Sequence, residues 1–318
     1  MIVPSLNVES TRVINAALIG NLLVAATKFV AAAVTGSSAM VSEAVHSLVD
    51  TGNELLLLYG LRRAAKPPDA DHPFGHGREL YFWSFIVSLA IFALGACASV
   101  YEGVQHLRAP AAIRNPVVNY VVLGLALVFE GGSWRVAFKQ FRLAKGSSGY
   151  WEAVKKSKDP TTFTVLAEDT GAILGILIAL AGTVAAEVLG RPVLDGAASV
   201  AIGLLLALIA TVLARETKGL LIGEPARSEL VSSICAIAQA EPGIERSNGL
   251  FTVHIGPRQV VAALSVDFKD SLTAGEVETI VARLEDRVRR AHPEVVSLLV
   301  KPQKSGDRAD FNLPRGEE

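Results

Sequence analysis

Cysteine and methionine are scarce in this chain, aromatic residues are few, and charge is thin. Only two cysteines occur among 318 residues, Cys97 and Cys235. They form no CxxC pair and no disulfide framework, and both read as small buried hydrophobes. No HExxH motif is present, which removes that class of membrane metalloprotease, and no enzymatic role is expected. Charged residues make up 19% of the chain, the net charge is −1, and no long basic tract occurs. A nucleic-acid partner is therefore excluded as an expectation. The N-terminus lacks a basic region followed by a cleavable apolar core, because Ser5 to Arg12 is polar. The first apolar span is expected to remain as a transmembrane helix. No internal repeat of fixed period stands out.

What the chain has in quantity is apolar surface: 51% of its residues are hydrophobic, and the mean hydropathy is +0.40. That balance points to an integral membrane protein. Six predominantly apolar spans of about 20 residues, the length a bilayer demands, fall near 13–35, 40–61, 80–106, 116–138, 162–188 and 193–214. The connectors Gly36–Ala39 and Gly190–Pro192 turn the chain back at once. Arg62, Arg63, Lys66 and Arg78 lie in the second connector. Arg135, Lys139, Arg142, Lys145, Lys155, Lys156 and Lys158 lie in or beside the fourth. The other connectors offer only Arg108, Arg114 and Arg191, so the basic bias puts the second and fourth connectors, and with them both termini, in the cytosol.

After Ala214 the hydrophobicity becomes periodic. Glu224–Ala240 reads as an amphipathic helix with Pro225 in its first turn. Leu250–Ile255 and Val260–Phe268 read as strands around a Gly256-Pro257 turn. Thr273 and Glu276 form a capping box opening a helix that runs to about Ala291, and Val295–Val300 reads as a third strand. The order α-β-β-α-β indicates a small cytosolic α+β domain. The expected division is a transmembrane domain over 1–215, a cytosolic domain over 216–302 and a flexible tail over 303–318.

The chemistry concentrates in the second span. His46 and Asp50 are four residues apart, so a helix stacks them on one face, where Ser42, Glu43, Asn53 and Glu54 also lie. Ionisable groups at membrane depth are costly and mark ion or substrate paths, and an imidazole with a carboxylate is half of a tetrahedral metal site. The competing reading is helix–helix hydrogen bonding. The fifth span adds adjacent carboxylates, Glu168 and Asp169. Neighbours on a helix point about 100° apart, so one of them is expected to join His46 and Asp50. The other pairs with a cation such as Lys28 or faces the cytosolic mouth. In the second connector, Asp69, His72 and His76 have metal-ligand spacing, and the alternative is a merely solvated loop. Glu102 and Glu130 fit packing or interfacial roles better than ligation.

These segments together resemble a family. Ser42-Glu-Ala-Val-His46-Ser-Leu-Val-Asp50, His72-Pro-Phe-Gly-His76-Gly-Arg78, the Glu168-Asp169 pair and the Gly256-Pro257 hairpin are similar to the cation diffusion facilitator family, from the first span to about Pro302. The resemblance implies an α-helical membrane protein of six transmembrane helices with a C-terminal ferredoxin-like domain that mediates homodimerisation. It implies export of zinc or a related divalent cation from the cytosol, commonly in exchange for protons. It further implies a transport site of His46, Asp50, Asp169 and the residue four before Asp169. That residue is Val165, which cannot ligate, so the fourth ligand is left to Glu168, Asn53 or water. A neighbouring Glu-Asp pair looks like one branch that includes some organellar zinc transporters.

By the same resemblance Asp69, His72 and His76 match loop ligands. Asn248, Leu264 and Leu299 stand near positions where some relatives carry a binuclear zinc site, while His254 and His292 stand largely alone. No equivalent site is expected, and the dimer contact should rest on packing.

A metal requires neutral imidazole and ionised carboxylate, so binding expels protons and acidity expels metal. Imidazole titrates near physiological pH, which makes His46 the natural coupling group. Zinc is the expected cargo, with no resident cofactor. The oxygen-rich second half of the site makes a manganese-, iron- or cobalt-preferring exporter the alternative. A metal-sensing, non-transporting scaffold is a further alternative, whereas a channel would need a continuous polar lining. The lipid bilayer, divalent cations and protons are the expected partners. The expected location is a bacterial plasma membrane, with organellar membranes also open.

Overall fold

The structure, a computed structural model, describes residues 8–145, 149–150, 153 and 157–304. The stretch read as a tail lies outside the described residues from 305 onward, as do Lys155 and Lys156. Among the described residues six long helices come first: α1 (Val8–Thr35), α2 (Ser38–Ala64), α3 (Arg78–Arg108), α4 (Pro116–Lys145), α5 (Pro160–Val188) and α6 (Val193–Ile222). They are followed by α7 (Ser228–Gln239), β1 (Ile244–Gly256), β2 (Gln259–Phe268), α8 (Ala274–Ala291) and β3 (Val295–Pro302). By length and apolar composition, α3, α4, α5 and α6 can each cross a membrane.

Local chemistry explains the helix ends. Gly36, at φ +68°, turns the chain between α1 and α2 in a conformation that side chains rarely adopt. Ser37 then caps α2, its hydroxyl accepting from the Met40 amide. Asp159 caps α5 in the same way, with Pro160 in the first turn, where its missing N–H costs nothing. α3 contains a π-helical stretch, Ile91–Ala96. At the opposite end of α2, Arg63 donates two hydrogen bonds to Glu79 of α3, and the Trp83 indole donates to the same carboxylate.

Chain contacts divide the molecule into two compact units, 1–66 with 79–218, and 67–78 with 219–318. In the second unit a three-stranded sheet has the order β1-β2-β3, with β1 antiparallel and β3 parallel to β2. The connection from β2 to β3 runs through α8, as a parallel pair requires. Leu264, Val266, Ile280, Leu284, Val288, Ile234 and Val295 form its dry core. The Thr273–Glu276 capping box is present in full.

Four expectations are corrected. α6 does not end near Ala214 but runs on to Ile222. α7 begins at Ser228, so Pro225 precedes the helix instead of occupying its first turn. β1 starts at Ile244, well before Leu250, because Arg246–Gly249 continues the pairing with β2 through bulges. Cys97 is exposed on the flank of α3, and Cys235 is half-buried, so neither is a fully buried hydrophobe.

Candidate functional site

α2 presents a polar seam inside the first unit. His46 is 2% exposed, and its Nδ1 lies 3.3 Å from Asp50 Oδ1. His46 Nδ1, His46 Nε2 and Asp50 Oδ1 are buried without a hydrogen-bond partner. Buried polar atoms are normally satisfied, and those that are not call for an explanation. A neutral imidazole keeps one ring nitrogen free to ligate, so His46 beside the Asp50 carboxylate offers one nitrogen and carboxylate oxygen, donors that could hold a cation.

α5 meets this seam through small residues. A Cβ on Gly171 would come within 3.9 Å of His46 Nε2, and one on Gly175 would collide with the Glu43 carboxylate. Glu168 is on the same face of α5, and Asn53 Nδ2 donates to its Oε1 at 2.6 Å. The pairs 43 with 175, 46 with 171 and 53 with 168 thus run antiparallel along the two helices.

Asp169 points elsewhere: Ser133 of α4 donates to its Oδ2 at 3.1 Å. Of the two adjacent carboxylates, Glu168 is therefore the one in contact with α2. The suggested pairing of the other with Lys28 is corrected. Lys28 Nζ, fully buried, sits 3.1 Å from Glu43 Oε2 and donates to Ser47 Oγ at 2.7 Å. The spacing of α1 and α2 in sequence carried no signal for that bond, because Lys28 lies in an otherwise apolar span.

A second polar group at the start of α2 was also missed. Asp195, 0% exposed, accepts from Ser37 Oγ at 2.7 Å and from the amides of Ser38 at 2.5 Å and Ala39 at 3.4 Å. His106 Nε2 is 3.9 Å from its Oδ2. A turn further along, the hydroxyls of Ser42 and Ser199 are 2.5 Å apart, and Ser199 donates to the Ser99 carbonyl. A carboxylate at a helix N-terminus satisfies free amides and opposes the positive end of the helix dipole. The visible clue was a lone aspartate right after the Pro192 turn.

In the second unit, Asp69, His72 and His76 converge. Asp69 Oδ1 is 3.2 Å from His72 Nδ1, and Asp69 Oδ2 is 2.9 Å from His76 Nε2. One ligand atom from each residue falls within 4.8 Å of the others, the single group of this kind among the described residues. Hydrogen bonding to His76, and then to the His72 amide, pulls the Asp69 carboxyl down to about 2. His76 is buried while Asp69 and His72 are half exposed, so the group opens on one side. Gly77 fixes the loop: the Ile255 carbonyl and the Gln259 side chain fill the space a Cβ would need. His254 meets the Gly256 carbonyl at 3.3 Å and His292 meets Ser233 at 2.7 Å, and neither joins the Asp69 group.

The chain matches known proteins over most of its length. The profile of the cation efflux transmembrane domain matches residues 14–222. The human proton-coupled zinc antiporter SLC30A9, mitochondrial, is 34% identical over 244 residues, covering 76% of this chain and 43% of that protein. Metal tolerance protein C4 of Arabidopsis thaliana is 31% identical over 266 residues, 83% of this chain and 58% of that one. The magnetosome protein MamM of Paramagnetospirillum magneticum is 38% identical over 96 residues, 30% of this chain and 29% of its own. The chain thus spans about half the length of the first two relatives. A family profile over 14–222, the seam on α2 and the apolar helices around it place this integral membrane protein in the cation diffusion facilitator family.

Proposed function

We propose that the chain is a divalent cation efflux transporter whose cargo is Zn2+, moved out of the cytosol in exchange for protons by alternating access. The observation that carries this reading is the buried His46 imidazole 3.3 Å from the Asp50 carboxylate, on the α2 face that meets Gly171 of α5, with Glu168 and Asn53 nearby. The cargo ion would meet imidazole nitrogen and carboxylate oxygen there, a donor set that suits zinc. Because the imidazole must be neutral to bind, protons arriving from the far side would displace the ion. Asp169, held by Ser133, would complete the ligand set after a rotation of α5 against α4. In this structure Glu168 is the carboxylate on the α2 side. Asp69, His72 and His76 would capture the ion in the loop.

Six spans with both termini in the cytosol, in a bacterial plasma membrane, belong to the same proposal. The basic residues of the second and fourth connectors support it. Homodimerisation through the second unit is part of the same proposal, and Leu299 on the edge strand β3, 57% exposed, offers apolar surface for it.

A manganese- or iron-preferring exporter is the second reading, favoured by the oxygen donors Glu168 and Asp169 and by Val165 where a nitrogen ligand would stand. Zinc uptake into proteoliposomes tests the site. Asp50→Ala should abolish pH-driven uptake while the protein remains monodisperse, and wild-type rates in that variant would refute the assignment. Competition by manganese, iron and cobalt in the same assay separates the two metal readings.

A further inference from the structure

α4 has 30 residues, about 45 Å of helix at 1.5 Å per residue. About 20 residues from Pro116 exhaust the hydrocarbon thickness. The stretch from Trp134 to Leu143 therefore emerges at headgroup depth, on the side where α2 ends and α3 begins. There Arg135, Lys139 and Arg142 follow one another at helical spacing along one flank and line a cleft of about 760 Å³. None of the three makes an ion pair or hydrogen bond among the described residues. No acidic residue occurs anywhere between Glu130 and Lys145 to offset them.

The cleft also has an apolar side. Trp134 and Phe138 stack with ring centroids 4.7 Å apart and planes 10° from parallel. Leu143, 75% exposed, borders the cleft as well. Uncompensated cations beside a flat aromatic shelf and exposed aliphatic surface match a ligand that is anionic at one end and apolar at the other. Basic pockets on membrane helices hold anionic headgroups for this reason, and aromatic rings settle at the same depth.

We propose that this flank of α4 binds one anionic phospholipid of the adjacent leaflet. Its phosphate is held by Arg135, Lys139 and Arg142, and its acyl chains lie along Leu143. The site is separate from the proposed cation path and does not depend on which metal is carried. It does neighbour Ser133, the residue that holds Asp169, so an occupied cleft would steady the α4 segment against which α5 moves.

The full chain in neutral detergent, titrated with phosphatidylglycerol and read by native mass spectrometry, tests this. The variant Arg135→Gln/Lys139→Gln/Arg142→Gln should bind on the order of 100-fold more weakly, from about five-fold per basic residue. The charge-matched variant Arg62→Gln/Lys66→Gln/Arg215→Gln, on the same side, should bind as the native chain does. Equal weakening in both variants would reduce the effect to diffuse leaflet charge and overturn the proposal. Displacement of the lipid by millimolar inorganic phosphate would overturn it in favour of a soluble anion. A second measurement needs no change to the cations. In a Trp83→Phe/Trp151→Phe protein, brominated phosphatidylglycerol should quench Trp134 fluorescence at least two-fold more than brominated phosphatidylcholine. Equal quenching would refute the site.

Discussion

Lys28 and Glu43 are both fully buried, and each depends on the other. Removing one partner of a buried pair strands a charge and costs about 3–5 kcal/mol, whereas replacing both with apolar groups is often close to neutral. Lys28→Met should therefore lower thermal stability sharply in detergent, and Lys28→Met/Glu43→Leu should recover most of the loss. A single variant as stable as the native chain would mean that the pair is not formed.

Asp69 makes a prediction about pH. Its folded value, about 2, lies below the ordinary 3.8. A depressed carboxyl stabilises the fold fully above the unfolded value, and that contribution is lost as pH falls from about 4 through about 2. The loop should thus hold its geometry down to mild acid, and an NMR titration of the Asp69 carboxyl should find its midpoint near 2. A midpoint at 3.8 would show that the bonds to His76 and the His72 amide are absent in solution.

Among the helices, the packing of α5 on α2 depends on what is missing from Gly171 and Gly175. Adding a methyl at Gly175 drives it into the carboxylate of a buried ion pair, which cannot swing aside freely. At Gly171 the nearest obstacle is the flexible end of Ile209. Overpacking costs about 1–3 kcal/mol, so Gly175→Ala should lower stability more than Gly171→Ala does. Equal unfolding midpoints would argue against this face of α5. In the second unit, Thr273→Ala removes the cap of α8 and should cost about 1 kcal/mol in a denaturant titration.

Periodicity made most of these elements legible. The apolar runs located the long helices, and the Thr273-Ala-Gly-Glu276 cap fixed the start of α8. Helix ends were less readable, because the polar Arg215–Lys218 stretch looks like a terminus although α6 continues as a helix to Ile222. Pro225 similarly suggested a first turn that the backbone does not adopt. Local composition marks where polarity changes, and a helix leaving the apolar zone keeps its hydrogen bonds while its side chains change.

For the whole molecule, residues 67–78 cluster with the C-terminal domain and not with the helices they connect in sequence. Gly77 is the visible cause, since the hairpin of β1 and β2 occupies the place of its missing side chain. Gly77→Ala should displace the loop and weaken zinc binding at Asp69, His72 and His76 at least several-fold by isothermal titration, with His46 and Asp50 replaced by alanine to isolate the loop. Unchanged affinity would mean that the loop holds the ion without this support.

The amino-acid sequence by itself determined a membrane protein resembling this family, put His46 and Asp50 on one helix face, and gave Asp69, His72 and His76 a ligand-like spacing with a solvated loop as the alternative. The two spacings lie within single segments, and helix geometry fixes the shared face of His46 and Asp50, while the family resemblance rests on several segments together. Only the tertiary structure decided between Glu168 and Asp169 as the neighbour of α2, gave Lys28 to Glu43, and bound Asp195 to the start of the α2 helix. Those contacts join residues far apart in the chain. Which carboxylate faces which helix depends on the rotation and packing of whole helices, a choice that no local pattern encodes.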